Sequence, residues 1–342
     1  MDNGNSWVPS ADYDSAGEEG VIELARCAFC DADFEAGRGD VLLVCPYCGT
    51  AQTTEGAKFT DHYMIRVHFD QGEAQTTLLD WVSKQLGAPA DLPAKARFVQ
   101  YQQYWYPFWI SRVDSNSTYR GLGRDANFYD EWPQRRGAYK RIDYFWKPES
   151  GQFTRRHEIS IPGVKDLDED VKRHPIPTRA KEFFSHAHAE EFDGKVLHSN
   201  IGEEEAKRLA KQMAYDRQTA LIMSEVDKIE ERDDTNTVGE TFLVHVPVWE
   251  LEYKYGNSKY KASVAASTGY VIESKYPRSM AFRAAGLGFG LILLLGGAAL
   301  LALAFMLEIF VGAGLAGGSL MAILGLVLMY KGVSRKEAKE QI

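Results

Sequence analysis

The chain has 342 residues and a formal charge of −9, set by 39 Lys and Arg against 48 Asp and Glu. The 47 residues from Ala284 to Tyr330 hold one charged side chain, Glu308, whereas everything before them nets −10. This split excludes a wholly soluble protein, and it argues against nucleic-acid binding by bulk charge, because an acidic domain repels phosphate.

Residues 1–20 carry five carboxylates, no Lys or Arg and no apolar core, so they read as an acidic disordered tail and not as a secretory signal. Residues 21–56 hold all four cysteines, as Cys27-x2-Cys30-x14-Cys45-x2-Cys48. Two residues between thiols let both sulfurs of a tight turn face one ion, and two such turns complete a tetrahedral shell suited to Zn²⁺. We therefore expect a zinc ribbon with Cys27, Cys30, Cys45 and Cys48 as ligands of one structural zinc. Two disulfides, an iron site or incidental cysteines are the alternatives. Four thiolates leave no open coordination position, so such a zinc would fold the ribbon and catalyse nothing. Clustered thiols also suit a reducing compartment.

Residues 57–280 read as an α+β region of helices and mixed antiparallel sheet. A brief β run spans Met64 to Phe69. Asp70 and Glu73 then have the spacing of a capping box, followed by Ala74, Leu78, Trp81, Val82 and Leu86 at helical period and by Gly87 and Pro89. Residues 97–113 are aromatic and β-branched, which predicts a strand that Pro107 bends or places at an edge. Further strands are expected at Tyr139–Trp146 and Phe153–Ile161. Helices are expected from Thr178 to Glu191 and from Glu203 to Glu230, the latter with Ala206, Leu209, Ala210, Met213, Ala220 and Leu221 on its apolar side. Residues 241–275 read as a meander turning at Gly256-Asn257 and at Ser267-Thr268-Gly269. Pro107-Phe108-Trp109 and Pro247-Val248-Trp249 echo each other, which raises two related sheet subdomains.

Residues 284–307 and 309–330 are each long enough to cross about 30 Å of hydrocarbon as helix. Lys275, Arg278 and Arg283 precede them, and Lys331, Arg335, Lys336 and Lys339 lie in the basic tail 331–342. The positive-inside rule then predicts a two-helix hairpin in the cell membrane with both termini cytoplasmic, Glu308 marking its turn. Gly286-x3-Gly290 and Gly314-x3-Gly318 offer a route to a homodimer.

Catalytic signals are weak. Gly121-x-Gly123-x-x-Ala126 lacks a following amphipathic helix and reads as a turn. Asp166-x-Asp168-x-Asp170 starts like a calcium loop, but Val171 replaces the required glycine, leaving a solvated acidic loop. His186-x-His188 with Glu190 and Glu191 reads as exposed side chains on a polar helix end. His157-Glu158 lacks the second histidine of a zincin. Tyr101, Tyr104, Trp105, Tyr106, Phe108 and Trp109 suit a half-buried sheet better than a base-stacking platform. No catalytic residue is assigned.

In order along the chain stand Cys45-Pro46-Tyr47-Cys48-Gly49, the Leu78–Pro89 helix end with Trp81, Tyr106-Pro107-Phe108-Trp109, and Tyr119-Arg120-Gly121. Val246-Pro247-Val248-Trp249 follows with Tyr253 and Tyr255, then Ser267-Thr268-Gly269-Tyr270-Val271 and Tyr276-Pro277-Arg278-Ser279. In these the chain resembles a family of membrane-anchored zinc-ribbon proteins of bacteria and archaea, often labelled primosomal-protein, superfamily II helicase-like or transcription-factor-IIB-type zinc-ribbon proteins. The likeness covers most of residues 27–280 and is poorest from 124 to 200. It implies architecture and carries no activity, since helicase motor motifs are missing. The function expected is a noncatalytic scaffold or adaptor for protein partners at the cytoplasmic face. The alternatives are a membrane-anchored enzyme with a site between the two Pro-x-Trp sheets, or a nucleic-acid binder acting through the ribbon.

Overall fold

The computed structural model describes residues 23–131, 139–307, 311–334 and 337–341. The acidic tail, Trp132-Pro133, the Glu308 turn, and Arg335 and Lys336 lie outside the described residues.

Strands β1 (Glu23–Arg26) and β2 (Asp33–Ala36) form a hairpin, and β3 (Leu42–Val44), β4 (Ala51–Thr53) and β5 (Lys58–Phe59) a second small sheet. Strand β6 (His62–Ile65) leads to α1 (Gln71–Ser83), α2 (Leu92–Lys95), β7 (Arg97–Glu131) and β8 (Tyr139–Pro162). Next come α3 (Glu169–Arg173), a 3-10 turn at Thr178–Ala180, β9 (Lys181–Phe183), α4 (His186–Glu190) and β10 (Lys195–Val196). The chain continues through α5 (Glu203–Met223), β11 (Lys228–Tyr255), β12 (Ser258–Ala265) and β13 (Val271–Pro277). Helices α6 (Met280–Leu307) and α7 (Val311–Ser334) precede β14 (Glu337–Gln341).

Strands β6 to β14 build one nine-stranded sheet centred on the antiparallel pair β7–β11. In that pair Tyr106 faces Val246, Pro107 faces His245, and Trp105 faces Pro247, so the two Pro-x-Trp motifs sit about a local two-fold. The relation extends outward. On its outer side β7 pairs with the short parallel strand β10 and then with antiparallel β8; β11 pairs with short parallel β6 and then with antiparallel β12. The indole N–H of Trp109 donates to Ile201 O (2.8 Å), just before Gly202, the N-cap of α5. The indole N–H of Trp249 donates to Phe69 O (2.9 Å), just before Asp70, the N-cap of α1. Each tryptophan thus holds the entry of the helix that follows its own strand's parallel neighbour.

Pro107 is therefore neither at an edge nor a breaker. Its carbonyl accepts from Gly163 N–H (2.7 Å). Amide and carbonyl of one strand residue face the same side, so its ring nitrogen points into the gap between β10 and β8, where no ladder bond is due. Pro247, whose carbonyl accepts from Ala266 N–H (2.9 Å), occupies the matching gap between β6 and β12. The motifs lie on adjacent strands of one sheet, not on two sheets with a cleft between them, and Trp105, Tyr106, Phe108 and Trp109 are fully buried.

Other expectations change in detail. The capping box forms as read, with Glu73 N–H on Asp70 Oδ1 and Asp70 N–H on Glu73 Oε2, both 2.9 Å. Tyr139–Pro162 is one continuous strand, because every residue of it faces a partner on β7. No helix spans Thr178–Glu191: Pro175 and Pro177 interrupt the start, and Lys181–Phe183 pairs instead with the edge of β6. Helix α5 stops at Met223, and the acidic residues after it enter β11, whose pairing with β7 overrides their helical preference. The stripe of α5 on the sheet is Ala206, Ala210, Ala214, Gln218 and Ile222, four apart, and its three alanines admit close approach; Met213 and Ala220 are exposed. Gly121 is not in a turn but inside β7, where a Cβ would lie 2.4 Å from Lys228 O as β11 enters the sheet.

Helices α6 and α7 pack antiparallel through glycines. Gly290 meets Gly325 and Met329, and Gly297 meets Gly318 and Ala322. Gly290 and Gly318, read above as a homodimer route, are taken up by this contact within the chain. Met280–Leu303 is long and apolar enough to cross a membrane, and only 11% of its apolar window is buried, unlike a core helix. The described apolar stretch of α7, Ala316–Tyr330, is shorter. Since β14 pairs antiparallel with β13, the chain leaves for α6 and returns from α7 at the same sheet edge.

Candidate metal centre

Two knuckles of the same build carry the cysteines. In the first, Cys27 N–H donates to Ala32 O (2.9 Å) and Asp31 N–H to Cys27 O (3.0 Å). In the second, Cys45 N–H donates to Thr50 O (3.0 Å) and Gly49 N–H to Cys45 O (2.9 Å). Both turns need a left-handed residue after the second cysteine, and they have Asp31 (φ 60°) and Gly49 (φ 71°) there. Glycine adopts this backbone freely and aspartate tolerates it. At Gly49 space matters too, because a Cβ would lie 3.0 Å from His186 Cβ.

The β3–β4 hairpin and the β1–β2 hairpin bring the knuckles face to face. The four ligand sulfurs all lie within 4.8 Å of one another, with Cys27 and Cys48 Sγ 3.6 Å apart and Cys30 and Cys45 Sγ 3.7 Å apart. A disulfide needs about 2.0 Å, and all four cysteines are free thiols. Sulfurs at the corners of a tetrahedron around a metal about 2.3 Å away would stand about 3.8 Å apart. The cluster therefore fits a metal ion such as zinc, and it does not fit two disulfides. Burial pushes the Cys45 thiol up to about 12. Burial raises Cys48 as well, but hydrogen bonds with the Thr50 hydroxyl and amide and with neighbouring sulfurs outweigh it and bring Cys48 down to about 7. Metal uptake by such a set is coupled to proton release.

Residues beyond the cysteines brace the centre. Gln52, 2% exposed, accepts Ala28 N–H (2.7 Å) and donates to Arg26 O (2.9 Å), tying β4 to the first knuckle. The ribbon is fixed to the sheet body at Ser199, whose carbonyl accepts Val41 and Leu42 N–H and whose amide donates to Leu42 O. His198 completes the joint. Its Nδ1 accepts Val44 N–H (3.1 Å), its Nε2 lies 3.4 Å from Glu35 O, and its ring packs on Phe34. Burial lowers its pKa, which keeps the imidazole neutral as an acceptor. The loop carrying His198 and Ser199 is also the one held by Trp109, so the ribbon docks at the entry of α5. Nothing in the local sequence around His198 or Gln52 marks them, since their partners lie 154 and 24 or more residues away.

The other residues weighed above take structural places. His186 and His188 are mostly buried, not exposed: His186 Nε2 is 3.4 Å from Glu190, and His188 Nδ1 is 3.3 Å from Glu191 with its ring against Trp105 and Phe192. Asp168 caps α3 by accepting Asp170 N–H (3.0 Å), and both lie near Glu273 in a group of half-buried carboxylates. Glu158 joins Arg112 on the β7–β8 ladder. A histidine pair went unread: His245 Nε2–H donates to Leu197 O (3.0 Å), so its Nδ1 accepts from His62 Nε2–H (2.8 Å). His245 is fully buried, and burial brings it down to about 4. No family model, no curated protein and no solved structure matches the chain.

Proposed function

We propose that this chain is a membrane-tethered zinc-ribbon scaffold that recruits a protein partner at the cytoplasmic face of the cell membrane. The observation that carries the reading is the build of the head. Four sulfurs close the metal site, and the ribbon is clamped to a rigid sheet. The residue at the third position of each knuckle, Phe29 and Tyr47, is 67% and 68% exposed. A closed tetrahedral centre that displays an aromatic side chain at each apex holds a binding surface in shape and offers no open position for chemistry. Zinc is the metal of choice for four thiolates in that geometry.

Helices α6 and α7 serve as a membrane hairpin. The basic residues Lys275, Arg278 and Arg283 on one flank and Lys331, Arg335, Lys336 and Lys339 on the other put both ends in the cytoplasm. The return of the chain to β13 supports this, because both helices then start and finish at one face. The same reading places the chain with the membrane-anchored zinc-ribbon proteins that its motifs resemble.

The test is cross-linking in intact cells with a photoreactive amino acid at Phe29 or Tyr47. A defined protein adduct that disappears in Cys45→Ser would be expected. Lack of any adduct at either position, or an amino-terminal tag reachable from outside intact cells, would overturn the proposal.

A further inference from the structure

The local two-fold makes β6 and β10 counterparts, yet their outer edges differ. Along β6 runs β9, antiparallel, with Met64 opposite Glu182 and Phe184 N–H donating to His62 O (3.1 Å). Among the described residues no strand covers β10. Leu197 N–H turns inward to Trp105 O (3.1 Å), so strand alternation turns the N–H and C=O of Val196 outward. In front of that edge lies an open cleft of about 910 Å³, closed on its far side by β2 of the ribbon.

The two walls are chemically distinct. On β2 the exposed residues are Asp33 and Glu35, alternating with buried Phe34, and neither carboxylate joins an ion pair among the described residues. They repeat at roughly 7 Å, the spacing of alternate side chains on an extended peptide. On the opposite wall Lys195 lies over the Tyr104 ring, 5.9 Å from its centroid. An unpaired strand edge facing two carboxylates at strand spacing is a receptor for an extended chain with alternating cations.

We propose that this cleft binds a basic, extended segment of a protein partner, added antiparallel to β10 as β9 is added to β6. The proposal rests on the scaffold reading and names the class of partner segment. The chain's own residues 1–22 are the wrong occupant, because they carry five carboxylates and no Lys or Arg.

The experiment uses the full, metal-loaded chain in detergent and two fluorescein-labelled peptides, Lys-Val-Lys-Val-Lys-Val-Lys and Glu-Val-Glu-Val-Glu-Val-Glu, read by anisotropy. The lysine peptide should bind at least tenfold tighter. Asp33→Lys combined with Glu35→Lys should weaken it at least tenfold, as should Val196→Pro, which removes the outward N–H together with a half-buried side chain. Equal binding of both peptides, or indifference to both variants, overturns the proposal. Tenfold tighter binding after removal of residues 1–22 would hand the cleft to that tail, and binding lost on self-association would hand it to a second copy; either overturns it. A partner adduct at Phe29 that survives the charge reversal would leave the scaffold reading standing while the cleft proposal fell.

Discussion

Replacing His198 by leucine tests the joint between ribbon and body. Val44 is 2% exposed, and its amide faces away from β4, because Cys45 N–H and Thr50 O make the adjacent ladder bond. His198 Nδ1 is its acceptor. Leucine keeps most of the volume but leaves that N–H buried without a partner, a penalty of about 1–3 kcal/mol. The contact of Nε2 with Glu35 O, at 3.4 Å, is long enough to add little. Because the three backbone bonds at Ser199 survive, the ribbon should stay docked and open more often, by roughly 5- to 150-fold. Hydrogen exchange followed by mass spectrometry on the full chain in detergent would show this as faster exchange in residues 41–53. The β7–β11 amides should keep their protection. Unchanged exchange in the ribbon, or an equal loss across the whole sheet, would refute the reasoning.

Cys45→Ser should lower metal content from one ion per chain towards zero by elemental analysis, and chelation at neutral pH should collapse protection in residues 23–59 while sparing the sheet. His245 sets an acid limit: its folded pKa of about 4 lies below the ordinary 6.5, so the unfolded chain binds the extra proton first. The stability due to its burial is complete above about pH 6.5 and is lost as pH falls towards 4, about 3 kcal/mol in all. Urea melts that keep the same midpoint from pH 7 to pH 4 would contradict this. Gly49→Ala should cost about 1–2 kcal/mol, since it combines a left-handed backbone with a contact at 3.0 Å to His186 Cβ; an unchanged thermal midpoint would count against the strained-turn account. Trp249→Phe should cost about 1–3 kcal/mol by leaving Phe69 O without its indole donor, and Trp109→Phe should cost less, because the Ser199 hydroxyl still reaches Ile201 O at 2.8 Å; a larger loss for Trp109→Phe in chemical melts would argue against this account.

What the linear order of residues determined is what short-range chemistry decides. The two Cys-x2-Cys turns, the Asp70–Glu73 capping box, the turns at Gly256 and Gly269 and the apolar stretch from Ala284 need only near neighbours to declare themselves. Tertiary structure decided whatever depends on partners far along the chain. Pro107 is harmless in a central strand only because one neighbour strand ends where another begins. The charged residues 228–240 are strand because β7 supplies the other half of the ladder. Residues 181–183 pair with β6 although their composition suits helix. His198 clamps a ribbon that lies more than 150 residues earlier. Hydrogen-bond partners that close across such distances leave no periodicity or spacing in the sequence, so the joint, the two-fold and the open edge of β10 exist only once the chain is folded.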